Sequence, residues 1–364
     1  MNNPLLDALR RNRLLAALLP IIIALTVVVI LILLSGNSPY DVLVTLWRGS
    51  VGTPVKRADS VVVWVSLAIC SAGLLITFRA GQWNIGVEGQ IVLGAVFAYW
   101  AARGLWEAPP VFAIPAMLLW GAVGGALWAT LVGVLKVFGG VNEIFGGLGL
   151  NFVSTSLTIY LIAGPWQKQG TSAISNTELL PRPLWMPTLE GLRVSVYTIV
   201  VAFVVLTVVY LALRGTVWGL QLKAVGRSMR GAFVLGVPTR RVLFTAYAAG
   251  GFCAGLVGAI LIVGVRHQLA AGISSGYGFL SILIVLLSAG SVLAVAPIAF
   301  FFAALGIGGV ALQLGLGMDS SLTGVLVGVV VLSVELVQGV RQKLRDRRRL
   351  APPPPEPTVA EQGS

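Results

Sequence analysis

Apolar runs without charged residues cover 14–35, 60–78, 89–102, 111–135, 144–163, 194–213, 242–265, 268–318 and 320–334. A helix needs about 20 such residues to cross a bilayer, so most runs predict one membrane-spanning helix each. The run 268–318 is too long for one span and predicts two, parted near Ala289 to Pro297. The pattern predicts an all-α polytopic membrane protein of about ten transmembrane helices, some of them broken; eight spans would keep the same parity. The first run follows Arg10, Arg11 and Arg13. It is long for the apolar core of a signal peptide and has a weak cleavage pattern, so it predicts a retained first helix.

Composition agrees with that pattern. Of 364 residues, 57% are hydrophobic and 10% are charged, against about 25% charged in soluble domains. The 44 glycines show no collagen period, and glycine is frequent where membrane helices approach closely. Cys70 and Cys253 lie inside apolar runs, so neither a disulfide nor a metal site is expected. His267 is the single histidine and cannot supply a multi-histidine metal centre.

The net charge of +12 would suggest nucleic acid in a soluble protein. Here the cations sit in short loops and tails, so no nucleic acid is expected and the charge sets orientation instead. With the N-terminus inside, alternation through ten spans places on the same side Arg10, Arg11 and Arg13, Arg79, Lys136, the cluster Arg214 to Arg241, and the tail from Arg341 to Arg349. Fewer cations fall outside, which predicts both termini in the cytoplasm. Segments 36–59 and 165–193 are expected outside, with Trp166 and Trp185 at interfacial positions, and 214–241 inside. The expected organisation is a cytoplasmic segment 1–13, a membrane domain 14–340, and a tail 341–364 that is basic, then proline-rich and disordered.

Polar residues inside apolar stretches are costly and tend to face a cavity, a partner helix or a pathway. The densest group is Arg79-Ala-Gly-Gln-Trp-Asn-Ile-Gly-Val-Glu-Gly-Gln90. Its glycines at 81, 86 and 89 disfavour an unbroken helix. Broken segments of this kind build translocation sites in transporters; a tight surface turn with Glu88 capping the next helix is the plainer alternative. In Gly139-Gly-Val-Asn-Glu143, Asn142 suits a helix cap with Glu143 in the first turn. Asn151, two turns further on, is expected to bond a neighbouring helix or a substrate. Glu335 is expected at the interface or beside a tail arginine. Residues 228–235 predict a short amphipathic helix bounded by Gly226 and Gly236, suited to docking a soluble partner or touching anionic lipid. No GxxxxGK[ST] loop occurs, so the chain cannot itself use ATP by that route.

At these residues a resemblance becomes specific. FRAGQWNIGVEGQ (78–90), VNEIFGGLGLNF (141–152), WGLQLKAVGRSMRGAFVLGV (218–237) and GYGFLSILIVLLSAGSVLAVAP (276–297) occur in order. They resemble the signatures of ABC importer permeases of the branched-chain amino acid, ribose and nucleoside superfamily. The EGQ form is closest to the nucleoside and simple-sugar permeases that work with basic-membrane-protein-type lipoproteins. The chain departs from the pattern at Ser228, where asparagine is common, at Gly231, and at Ser288-Ala-Gly290.

The resemblance implies a membrane-spanning permease subunit in the cell membrane, with no catalytic residue and no cofactor of its own. ATP would be bound by a cytoplasmic ABC ATPase. A second permease, a paralogue rather than a copy, would complete the pathway, and an external lipoprotein would deliver a nucleoside or simple sugar. The implied pathway residues are Gln82, Trp83, Asn84, Glu88, Gln90, Asn142 and Asn151, with Trp83 stacking on a base and the amides bonding ribose hydroxyls. The implied coupling residues are Ala224, Gly226, Arg227, Ala232 and Gly236.

Two rivals are distinguishable. An ion-coupled secondary transporter also uses broken helices, and Glu88 and Glu143 could serve it, but it has no need of a docking loop. Gly272-Ile-Ser-Ser-Gly276 near His267 fits G-x-S-x-G, yet the strand–turn–helix setting of a nucleophile elbow is absent, and a re-entrant turn explains the small residues.

Overall fold

The computed structural model describes residues 13–167, 176–318 and nine residues between 324 and 336. The segment before Arg13, Glu335 and the tail from Arg341 lie outside the described residues. The chain divides into two units, residues 1–39 with 324–364, and residues 40–323. In the first unit α1 runs Arg13–Leu34, matching the first apolar run.

The described residues of the second unit are mainly helical, with two isolated bridges as their only β pairing. Helix α2 is Pro39–Val51 and α3 is Pro54–Arg79. Thr53 accepts the Lys56 N–H and Pro54 occupies the first turn, where its missing N–H costs nothing. Then follow α4 Val87–Gly104, α5 Pro110–Val137, α6 Glu143–Ala163 and α7 Val196–Gly215. Two short helices come next, α8 Val217–Arg227 and α9 Met229–Val234. Helix α10, Thr239–Leu261, continues through a π turn, Ile262–Arg266. Helices α11 Tyr277–Leu287 and α12 Val292–Leu316 complete the unit.

Among the described residues six helices are long and apolar enough to cross a membrane, and seven if Leu25–Leu34 with Pro39–Val51 counts as one span. Helices α3 and α10 form the centre, with 78% of each apolar window buried, whereas α7 has 22% buried. Small residues set the central packing. Gly121 and Gly125 of α5 face Gly251 and Gly255 of α10, and a Cβ on any of them would overlap atoms of a facing helix. Backbones can meet this closely only without side chains, which is how membrane helices gain van der Waals contact in a solvent as apolar as themselves. Trp64 of α3 donates its indole N–H to the Ala296 carbonyl of α12 at 2.9 Å.

Residues 36–59 contain α2 and the first turn of α3. Two local features differ from the sequence reading. Gly226 lies within α8 and does not bound a helix. The stretch 268–318 is parted at 288–291, where Ala289 and Gly290 have φ of +48° and +79°. Its first part, however, holds only the 11-residue α11 after an irregular segment 267–276. Gly272, Ser275 and Gly276 adopt positive φ there, which ends any helix. The irregular segment and α11 together return the chain from the Arg266 end of α10 to Arg79, whose guanidinium donates to the Gly290 carbonyl at 2.8 Å.

Candidate functional site

Glu88 stands in the first turn of α4. It does not cap its own helix. Its Oε1 accepts the Ser274 hydroxyl at 2.5 Å and the Gly276 N–H at 3.1 Å, and its Oε2 accepts the Gly278 N–H at 2.8 Å. These donors lie on the irregular segment and at the N-terminus of α11, where backbone N–H groups lack intrahelical acceptors and the helix dipole favours a carboxylate. Glu88 therefore holds the half-length helix α11 against α4. Ser274 is engaged by Glu88, and His267 instead stacks on Trp185 with centroids 3.8 Å apart, so the G-x-S-x-G match carries no hydrolytic dyad.

Asn151 of α6 bridges the same region. Its Oδ1 accepts the Gly89 N–H at 2.8 Å and its amide donates to the Ile85 carbonyl at 3.0 Å. Gly89 is small because the Asn151 side chain occupies the space a Cβ would need. Asn84 and Gln90 are fully buried and exchange reciprocal amide hydrogen bonds of 3.1 and 2.7 Å. Gln82 belongs to a separate network. Its Oε1 accepts from Lys136 and, at 3.4 Å, from Tyr247, while Lys136 pairs with Glu143 at 3.0 Å. Asn142 is an exposed cap whose side chain accepts the Ile144 N–H at 2.9 Å. Trp83 is 43% exposed and packs on Phe78.

The seven residues singled out from sequence therefore do not converge on one cavity. Glu88 and Asn151 line a cleft of about 330 Å³ between α4, α6 and the 271–276 segment. Thr155, Thr158, Ser274 and Ser275 also line it, and none was singled out as a pathway residue. The two threonines follow Asn151 at helical spacing, which was the available signal. Phe152, Leu148 and Phe279 supply an apolar wall. The cleft thus offers hydroxyls and one carboxylate over an apolar floor, a lining suited to a small polar solute.

The 214–241 segment carries the second group of residues singled out from sequence. Thr216 caps α8 by accepting the Gly219 N–H at 3.0 Å, and Ser228 caps α9 by accepting the Gly231 N–H at 3.1 Å. Serine and asparagine cap about equally well, so the departure at Ser228 preserves the turn. Ala232 is buried while Phe233, Val234 and Leu235 are 70%, 78% and 82% exposed. Gly236, with φ of +81°, reverses the chain after them. Ala224 is half-buried, Arg227 is exposed, and Gly226 packs on the turn Arg79–Gly81.

Among the described residues no group of three His, Cys, Asp or Glu could hold a metal ion.

The family described as "Branched-chain amino acid transport system / permease component" matches residues 57–334. The glucose ABC transporter permease protein TsgB13 of Haloferax volcanii is 32% identical, over 74% of this chain and 73% of its own. The guanosine ABC transporter permease protein NupP of Bacillus subtilis is 25% identical over 91% and 96%, and the nucleoside ABC transporter permease protein NupB of Lactococcus lactis 23% over 81% and 82%. A second permease protein with the same description in each of those bacteria, NupQ and NupC, is also similar to the chain.

Proposed function

This chain belongs to the branched-chain amino acid transport system permease family, and on that premise we propose that it carries a nucleoside or simple sugar into the cell. It is a multi-pass membrane permease subunit of an ABC transporter, not an enzyme, and ATP is handled by a partner subunit. The observation that carries the coupling assignment is the apolar tip Phe233, Val234 and Leu235. An exposed apolar helix end beside the cations Arg227 and Arg230 suits a groove on a soluble partner, and an ion-coupled carrier has no use for it. We assign Ala224, Gly226, Arg227, Ala232 and Gly236 to the frame of that docking element.

For the pathway, Glu88 and Asn151 border the cleft, with Thr155, Thr158 and Ser275 as candidates to bond ring hydroxyls, a feature shared by sugars and nucleosides. Gln82, Asn84 and Gln90 act as supports for the turn that carries Glu88. Trp83 and Asn142, both exposed, are positioned to meet solute or the second permease. The paired permeases of the bacterial relatives favour a paralogue as that second subunit. A lipoprotein would present the solute at the outer segments.

The apolar runs and the bias of the cations favour ten crossings with both termini in the cytoplasm. Residues 267–287 would make one discontinuous crossing, with α11 as its inner half and Glu88 near its middle. Uptake of labelled guanosine and glucose by cells carrying the complete transporter tests the reading. ATP-dependent uptake of one of them, resistant to an uncoupler, is expected; uptake that dies with the uncoupler while ATP is intact would sink it.

A further inference from the structure

We propose that a cavity at the Arg214 end of α7 binds the phosphate of an anionic phospholipid. The cavity, about 490 Å³, lies between the ends of α3, α7 and α8 and the start of α12. Arg79, Arg214 and Lys223 line it, and no Asp or Glu does. The sequence supplies the reason, because no carboxylate occurs between Glu190 and Asp319. Three cations in one concavity create a positive potential that a bound anion would neutralise.

Two further features point the same way. Helix α12 opens on the cavity through Val292 and Leu293, and its N-cap, Ser291, makes no side-chain capping bond; no acid stands in its first turn. The positive end of a 25-residue helix is thus directed at the cations without compensation. Arg79 is held by its bond to the Gly290 carbonyl, yet its Nε is buried without a hydrogen-bond partner. A phosphate oxygen would accept charge-assisted bonds from the guanidinium and ammonium groups that line the cavity.

The walls favour lipid over free phosphate as the source. Leu220 and Leu293 border the cavity and are 68% and 69% exposed. Helix α7, the least buried of the six apolar helices, runs away from it with Val204, Val208 and Leu211 exposed. Acyl chains would cover that surface while the headgroup enters the cavity, in the manner of basic pockets between membrane helices. An occupied cavity would tie α8, next to the docking tip, to α3 and α12. The inference does not depend on which solute is carried.

Native mass spectrometry of the purified transporter, titrated with phosphatidylglycerol or phosphatidylcholine, tests it. Phosphatidylglycerol should be retained and phosphatidylcholine should not. Arg214→Gln and Lys223→Gln, both at exposed positions, should each weaken retention about fivefold. Arg79→Gln should weaken it at least as much, and Arg240→Gln, which removes a cation outside the cavity, should leave it unchanged. Equal retention by the wild type and the Arg214→Gln/Lys223→Gln double variant would overturn the proposal, as would an equal loss in Arg240→Gln. Displacement of the lipid by millimolar inorganic phosphate would make soluble phosphate the ligand and overturn the lipid source.

Discussion

Gly226 of α8 packs directly on Arg79 at the end of α3: a Cβ on Gly226 would overlap the Arg79 carbonyl oxygen, and one on Gly81 would lie 3.1 Å from the Gly226 Cα. The docking element thus rests, backbone on backbone, on the turn that leads to Glu88. A displacement of α8 cannot be absorbed by side chains at this point and must move the turn. Close packing of this kind transmits small shifts because interiors deform little.

Gly226→Ala is therefore expected to destabilise the permease by about 1–3 kcal/mol through overpacking. Uptake should fall further than stability. Thermal unfolding in detergent, paired with uptake at matched membrane abundance, separates the two effects. Wild-type uptake in this variant would remove the packing from the coupling route.

Glu88→Gln keeps the shape but turns one acceptor oxygen into an amide that faces an N–H. Loss of a charge-assisted bond at α11 should cost about 1.5–3 kcal/mol. Uptake should be lost even where the protein accumulates normally, because α11 and Ser274 shift at the cleft. Full activity in Glu88→Gln would show that the carboxylate is dispensable.

Asn151 and Thr155 should behave differently although they are one helical turn apart. Asn151→Leu leaves the Gly89 N–H and Ile85 carbonyl without their partner, at about 1–3 kcal/mol for each buried group. Thr155 donates only to the Asn151 carbonyl, at 3.0 Å, and Thr155→Val should scarcely move the melting temperature. A raised KM for uptake with unchanged stability is the expected result for Thr155→Val. An unchanged KM would place the solute elsewhere.

Phe233→Ser and Leu235→Ser alter side chains exposed to solvent, so stability should change by about 0.5 kcal/mol or less. Recovery of the ATPase with the tagged permease should fall sharply. Ser228→Ala should weaken the α9 cap by about 1 kcal/mol and reduce recovery less, while Ser228→Asn should retain it. A Phe233→Ser permease that still captures the ATPase in full would refute the assignment of the tip.

Much of the architecture was legible along the chain. Apolar runs and their lengths are local properties, and α3, α5, α6, α7, α10 and α12 lie where the runs lie. The cap at Asn142 and the end of α9 before Gly236 were readable for the same reason, since each involves residues within one turn; the cap at Ser228 was not read. Helix α8 was less legible because its glycines argue against a helix that packing on the Arg79–Gly81 turn stabilises.

Only the tertiary structure decided what the polar residues do. Glu88 could have capped α4, and nothing near it in sequence names Ser274, Gly276 or Gly278 as its partners. Asn84 and Gln90 are six residues apart and turn to each other, while Gln82 joins Lys136 and Tyr247. The sequence marks such groups as costly in an apolar medium, because an unpaired one loses its hydration without compensation. Which partner removes that cost depends on helix crossings and on where glycines let backbones approach, and these emerge only when α3, α4, α6 and α10 are packed together.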